Sequence, residues 1–345
     1  MRTVRTPFRV VAFVALAGAL VAACSGAATP TPAPSPSPAA SVAASPEVSP
    51  SPSPAAPPSA EASPSAAVVP SPTPDPCAPA NLATLKSGTL TIGTDNPAYP
   101  PYFQPPASGN APKPWQLGDP TNGEGFEGAV AYAVAGKLGF TRDQVAWTVV
   151  PFSNSYAPGK KPFDFYLAQV SFTKERAQSV DLSDGYYFVA QSVVALTGNP
   201  LAKVTTISGL KGFRFGAQVG TTAYDTIKNV IQPTAKVSVY NDNDAAVKAL
   251  HARQIDGLVV DLPTAFYVTA VQIVDAKGNP LASIVGQFPV QAGPDAEHFS
   301  LVLAKGSPLT SCINTAIGAL KSDGSLDQIT KTWLSDKANA PALQP

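Results

Sequence analysis

The sequence predicts an α/β fold with mostly parallel sheets. Apolar runs of strand length alternate with segments whose apolar residues recur every three or four positions, from Gly88 to Trp333. Residues 77–345 are enough to bury two sizeable cores, so two lobes are expected. The stretch from Asp164 to Tyr187 reads as a short buried strand, Leu167 to Phe172, followed by a turn or helix start at Thr173. It brings a polar row, Gln169 and Ser171, and the guanidinium of Arg176 to the end of a strand, where α/β sheets present groups to ligands. A surface arginine within a Lys-Glu-Arg cluster is the plainer reading of that stretch taken alone.

In chain order, Arg2, Arg5 and Arg9 form a basic start before an apolar run, Val10 to Ala22, of 13 residues. That is short for a membrane span and typical of a signal peptide. It ends in Leu20-Val21-Ala22-Ala23-Cys24, which resembles a bacterial lipobox. The resemblance implies cleavage after residue 23 and lipid attachment at Cys24. Residues 24–76 form a tether. From Pro30 to Pro76 there are 16 prolines in 47 residues, set among Ala, Ser and Thr, and no apolar period with which to build a core. Such a segment favours extended polyproline II structure at about 3 Å per residue. With Cys24 taken by lipid, Cys77 and Cys312 remain as an even pair, and the exported context permits a disulfide between them.

The folded part opens with a strand, Gly88 to Thr94, running into the proline-stiffened loop Asp95 to Phe103. Residues 109–123 read as an irregular insertion. Phe126, Val130, Val134 and Leu138 mark a helix that Gly139 stops. Strands follow at Val145 to Val150, Ala190 to Leu196, Arg214 to Gln218, Lys236 to Tyr240, Ile255 to Val260 and Phe299 to Ala304. Helices are expected near Ala223 after Gly220-Thr221-Thr222, after a cap at Asn243 or Asp244, and from Pro263. Two closing helices carry Leu309, Ile313, Ile317 and Leu320, then Leu326, Ile329 and Trp333.

A series of motifs in order, LTIGTDNPAYPPYF, GFEGAVAYAVAGKLG, FDFYLAQVSFTKERAQSVDLSDGYY, LKGFRFGAQVGTT, QIDGLVVDLP and GSLDQITKTWL, resembles the solute-binding proteins of polar amino-acid ABC importers. The resemblance runs from about Leu90 to Leu334. It implies a periplasmic-binding-protein-like fold of type II, with two lobes, two hinge strands and a ligand cleft between the lobes. Lobe one would be 77–190 plus 295–345, and lobe two 191–294. The resemblance also implies roles. Arg176 would grip the α-carboxylate, Ser171 would add a hydroxyl, and Thr221 and Thr222 would present the start of a helix to the same group. Asp261 would take the α-ammonium, helped by the carbonyl of Gln169. Tyr99 and Phe152 would sandwich the ligand, and Asp95 and Gln218 would meet its side chain. Glu127 stands where the family more often has aspartate and reads as a structural charge at a helix start. Three departures stand out: a longer Asp95–Tyr99 loop, a bulkier residue at Gln169, and an extended 104–123 region expected to cover or narrow the cleft.

The implied function is an extracytoplasmic, lipid-anchored receptor that binds an amino acid and delivers it to an ABC permease. A neutral polar or basic amino acid is favoured, because the side-chain positions Gln218, Asp95 and Val260 lack a strong cation. A sensory or surface-binding domain and a dehydratase-type enzyme on the same fold are the alternatives. Ser171-Phe172-Thr173-Lys174 and Ser208-Gly209-Leu210-Lys211 fit S-x-x-K, but no Lys-Thr-Gly partner accompanies them. A net charge of zero gives no reason to expect nucleic acid as a partner. Two distant histidines and three cysteines give no metal-ligand spacing, so no cofactor or metal is expected, and a monomer is.

Overall fold

The computed structural model describes residues 75–290, 293, 296–334 and 340–345, which belong to one compact unit, residues 70–345. The expected signal peptide, Cys24 and the tether up to residue 74 lie outside the described residues.

Strand β1 (Leu90–Thr94) buries Leu90 and Ile92 on one side and leads into helix α1 (Phe126–Lys137) through a long loop. Buried residues occupy most of the turns of α1, and Gly139 follows it in a left-handed conformation, as a helix stop requires. Strand β2 (Val145–Val149), the single turn α2 (Phe152–Ser155), strand β3 (Phe165–Tyr166), the single turn α3 (Arg176–Ser179) and strand β4 (Val180–Leu182) complete the first pass. Strand β5 (Tyr187–Phe188) carries the chain out of lobe one. Lobe two is then β6 (Gln191–Leu196), β7 (Phe215–Gln218), α4 (Thr222–Thr226) with a wider π-type turn to Ile231, β8 (Ser238–Tyr240), α5 (Asn243–His251), β9 (Gly257–Asp261), α6 (Leu262–Tyr267) and β10 (Ala282–Gln287). Strand β11 (His298–Phe299) pairs antiparallel with β5 and brings the chain back, and β12 (Val302–Ala304), α7 (Thr310–Ser322) and α8 (Ser325–Leu334) finish lobe one.

The two five-stranded sheets have the orders β2-β1-β3-β12-β4 and β10-β6-β9-β7-β8. Each sheet has two parallel and two antiparallel pairings rather than the mostly parallel ones expected, because β6 and β12 run against their neighbours. The cause is the crossing. Gln191 opens β6 opposite Asp261, the last residue of β9, so the chain enters lobe two at the cleft end and runs away from it. Val302 opens β12 opposite Tyr166 at the end of β3 in the same way. Both faces of the second sheet are covered: Val193, Ala195 and Val259 enter one core cluster, Val194, Leu258 and Val260 the other. That is why these strands read as continuous apolar runs rather than alternating ones.

Four further expectations differ from the structure. The strand placed at Leu167 to Phe172 lies earlier, at Phe165–Tyr166, because Gln169 takes a left-handed backbone (φ 53°) that breaks the extended run. The return strand is split in two at Ser300 and Leu301. The cap of α5 is Asp242 rather than Asn243 or Asp244; its carboxylate accepts the Ala245 N–H at 2.7 Å. Residues 340–345, expected in lobe one, lie along lobe two instead. Gln287 N–H donates to Pro341 O at 2.8 Å, Gln287 O accepts the Leu343 N–H at 2.9 Å, and Leu343 is buried in the lobe two core with Val285 and Phe288.

Cys77 and Cys312 form a disulfide whose Cα atoms are 5.4 Å apart and whose sequence separation is 235. It fastens the start of the folded part to α7. By loop-closure entropy, a span this long constrains the unfolded chain by about 5 kcal/mol.

Candidate functional site

The strands of both lobes end at one cleft, and every residue to which the sequence analysis gave a ligand role lines it. The lobe one wall starts at Asp95, directly after β1. Its carboxylate accepts the Asn96 N–H at 2.8 Å, and Gln218 Nε2 lies 3.5 Å from it across the cleft. Burial raises the pKa of Asp95. In the following loop Tyr99 also lines the cleft, packs edge-on to Tyr267 at 5.5 Å, and donates its hydroxyl to Gln272 of lobe two.

Residues 104–123 do not cover the cleft, contrary to expectation. They support the Asp95–Phe103 loop from outside. Ala98 N–H donates to Gln116 O at 3.0 Å, and Gly118 N–H donates to Ala98 O at 2.8 Å. A side chain at Gly118 would meet Phe103 O at 2.2 Å, so only glycine permits this approach.

Glu127 is fully buried behind this wall. It accepts the Gln169 main-chain N–H at 2.7 Å, the Gln169 side-chain amide and the Tyr186 hydroxyl. Burial pushes its pKa up to about 7. Its role is the structural one the sequence suggested, but through a buried network rather than as a helix-start charge. It holds Gln169 in the left-handed turn that exposes Ser171 to the cleft.

Arg176 stands at the first position of α3, where Thr173 Oγ1 accepts its N–H at 3.0 Å. Arg176 is 7 % exposed. It donates to Ser171 O at 2.5 Å and to Gly220 O of lobe two at 2.8 Å, and it lies over the rings of Tyr156 (4.6 Å) and Phe152 (5.5 Å). Burial lowers its pKa, and the groups whose charge or hydrogen bonds offset this are Tyr156, Asp225 and Glu297. Among the described residues it makes no ion pair within 4.0 Å. A planar fork with five donors, two of them bonded to neutral carbonyls, is thus set in the wall with its charge unmatched by a contacting carboxylate.

The lobe two wall is built from helix starts. Gln218 ends β7, and Gly220 (φ 71°) turns the chain so that Thr221 caps α4, accepting the Tyr224 N–H at 3.2 Å. A Cβ at Gly220 would lie 2.2 Å from the Tyr156 hydroxyl, which donates to Gly220 O at 3.0 Å. Thr222 follows as the first residue of α4. Asp261 caps α6 by accepting the Thr264 N–H at 2.9 Å and the Thr264 hydroxyl at 2.8 Å, and it also accepts the hydroxyl of Tyr102 from lobe one. Desolvation is the main cause that raises its pKa. Capping and cleft-lining are therefore one residue's two jobs, not alternatives.

Sequence reasoning missed several cleft residues. Asp242 and Asp244 line it from the start of α5, and Asp242 bears electrostatically on Asp95. Four aspartates line the cleft, and with Asp244 paired to Lys248 at 2.7 Å, Asp95, Asp242 and Asp261 still outnumber the lining cation Arg176. Gln191 lines the cleft from the start of β6, and its buried Oε1 has no partner among the described residues. The Asp242-Asn243-Asp244 run could have been found as a helix-cap cluster. Nothing local marks Gln191. No group of His, Cys, Asp and Glu among the described residues is placed to hold a metal ion.

Comparisons with known proteins agree with this architecture. The chain is 28 % identical over 229 residues to a probable histidine-binding protein of Campylobacter jejuni, covering 65 % of this chain and 83 % of that one. It is 26 % identical over 250 residues to the L-cystine-binding protein TcyJ of Escherichia coli, covering 71 % and 82 %. Among solved structures, an ancestral arginine-binding protein superposes with a TM-score of 0.58 in its glutamine-bound form, at 27 % identity over 72 % of this chain and 99 % of that one. Its arginine-bound form gives a TM-score of 0.57, at 29 % identity over 72 % and 98 %. The profile of one family matches residues 90–336, nearly the whole folded part. The chain belongs to the bacterial extracellular solute-binding proteins, family 3.

Proposed function

We propose that this protein is a receptor for an amino acid with a cationic side chain, which it binds between its lobes and hands to an ABC permease. The observation that carries the reading is the polarity of the cleft. Arg176 stands at one end, buried and without a contacting carboxylate. Asp95 and Asp242 act on one another elsewhere in the same cleft, and Asp244 lines it too. An α-carboxylate suits the guanidinium, with the hydroxyls of Ser171 and Thr222 and the start of α4 beside it. Asp261 suits the α-ammonium. A positive side chain then offsets the excess of aspartate, where an acidic one would add to it. Tyr99 and Phe152 supply the apolar walls, and the Gln169 carbonyl and the Gln218 amide complete the polar lining. Relatives named for histidine and arginine are in keeping with this choice.

Contacts from both lobes favour the closed form when ligand is bound. Tyr102 to Asp261, Tyr99 to Gln272 and Tyr156 to Gly220 already link the lobes. The lipid anchor at Cys24 and the proline-rich tether would hold the receptor on the outer face of the membrane as a monomer. Among the described residues no helix is long and apolar enough to cross a membrane.

The test is a thermal-shift scan of the purified protein against the twenty amino acids. A ligand at 100 times its Kd adds about 2.7 kcal/mol, or roughly 5–10 °C for a domain of this size. Arginine, lysine or histidine is expected to give the largest shift and glutamate and aspartate none. A shift only with neutral, acidic or apolar amino acids contradicts the cationic reading, and no shift with any contradicts the amino-acid reading.

A further inference from the structure

Glu297 stands on the return crossing, one residue before β11, and the reading above gives it no task. Its Oε1 accepts three hydrogen bonds, from Ser171 Oγ at 2.6 Å, Thr222 Oγ1 at 2.6 Å and Gln191 Nε2 at 3.0 Å. Ser171 belongs to lobe one, Thr222 opens α4 of lobe two, and Gln191 opens β6 on the outward crossing. One carboxylate oxygen therefore ties both lobes to both crossings. Short hydroxyl bonds to a charged oxygen are among the stronger kinds.

These are the same two hydroxyls that a ligand carboxylate would use. A hydroxyl carries one proton and donates to one acceptor at a time. While Ser171 and Thr222 donate to Glu297, neither donates to a ligand. The Gln191 amide turns its N–H toward the same oxygen and leaves its own buried Oε1 without a partner among the described residues. The cluster is ordered around the anion.

We propose that Glu297 is a resident carboxylate that competes with the ligand's carboxylate for the Ser171–Thr222 pair, helping to hold the lobes together in the absence of ligand and thereby setting the affinity of the site. The proposal rests on the Arg176 end being the carboxylate subsite. A self-tied closed form withholds its hydroxyls, and apparent affinity falls by the fraction of molecules in that form.

The test uses the purified protein with arginine as the probe. Binding is measured by titration calorimetry, and the radius of gyration by small-angle scattering in the absence of amino acids. Glu297→Ala is expected to raise the radius of gyration and to tighten arginine binding about tenfold, equivalent to 1.4 kcal/mol. Glu297→Gln keeps the size and an acceptor, guards against misfolding, and is expected to fall between. Ser171→Ala should weaken arginine binding more in the Glu297→Ala background than in the wild type, where Glu297 already holds the hydroxyl. An unchanged radius, or a larger radius with weaker binding in both variants, overturns the proposal. Arginine binding equally to wild type and both variants overturns it while sparing the amino-acid reading. If wild type and both variants bind no amino acid, that reading fails and the competition fails with it.

Discussion

In lobe one the cleft-facing groups hang from the segments that follow β1, β2 and β3, and the turns that carry them are braced from behind within the lobe. Glu127 holds the Gln169 turn. Asp164 accepts N–H groups of Leu85 (2.7 Å) and Thr91 (2.6 Å), fixing the start of β3 against β1, and Thr173 sets the turn that aims Arg176. In lobe two the cleft is faced by helix caps, with Gln218 and Val260 at strand ends beside them. Thr221, Asp242 and Asp261 each satisfy a helix N–H and face the cleft with the same side chain. Loops need a buried supporting set to be precise, whereas a helix start is precise because the helix is. Mutations behind the lobe one wall should therefore alter stability first. Mutations in the lobe two wall should change stability and ligand affinity together, unless the cap is preserved.

The largest expected effect tests the lobe one brace. Burial raises Glu127 from 4.5 to about 7, so between those values the folded protein keeps a proton that the unfolded chain has released. Its contribution is fully present below about pH 4.5 and declines as pH rises to about 7, on the order of 3 kcal/mol in all. Urea unfolding of the wild type should show this decline between pH 5 and pH 7.5, and Glu127→Gln should remove most of it. Parallel pH profiles for the two proteins would mean that Glu127 is not the group that titrates there.

A smaller effect separates cap from charge in lobe two. Asparagine caps helices as well as aspartate does, so Asp242→Asn should stay within about 0.5 kcal/mol of wild-type stability. It should still weaken binding of a cationic amino acid, by about three- to tenfold for one lost partly screened charge. Asp242→Ala should do both, losing about 1 kcal/mol of stability as well. If Asn and Ala variants bind alike and as well as wild type, the acidic end of the cleft does not select the ligand.

Much of this cleft was legible because its signals are local. A strand that ends in Asp95 or Gln218, a glycine before paired threonines, and an aspartate before Pro263 all announce where backbone stops and a presented side chain begins. What was not legible is set by contacts distant in sequence. Glu297 and Ser171 are 126 positions apart, and nothing near Glu297 marks it as a partner for hydroxyls. Glu127 looks like an ordinary charge in the first turn of a helix until Tyr186 and Gln169 are seen to bury it. The strand misplaced at Leu167 to Phe172 alternated correctly, but alternation cannot reveal that Gln169 turns left-handed around a carboxylate 42 positions earlier. The tail at 340–345 returns to lobe two because Leu343 finds an apolar site there, which no period in six residues can encode.

The central claim is that Arg176 is the anchor for a ligand carboxylate rather than a brace between lobes. Calorimetric titration of arginine into wild type and Arg176→Ala, with circular dichroism melts of both unliganded proteins, tests it most directly. The account predicts a loss of binding of at least 100-fold, about 2.7 kcal/mol, with the unliganded fold intact. Arginine binding at wild-type strength in the variant would contradict it.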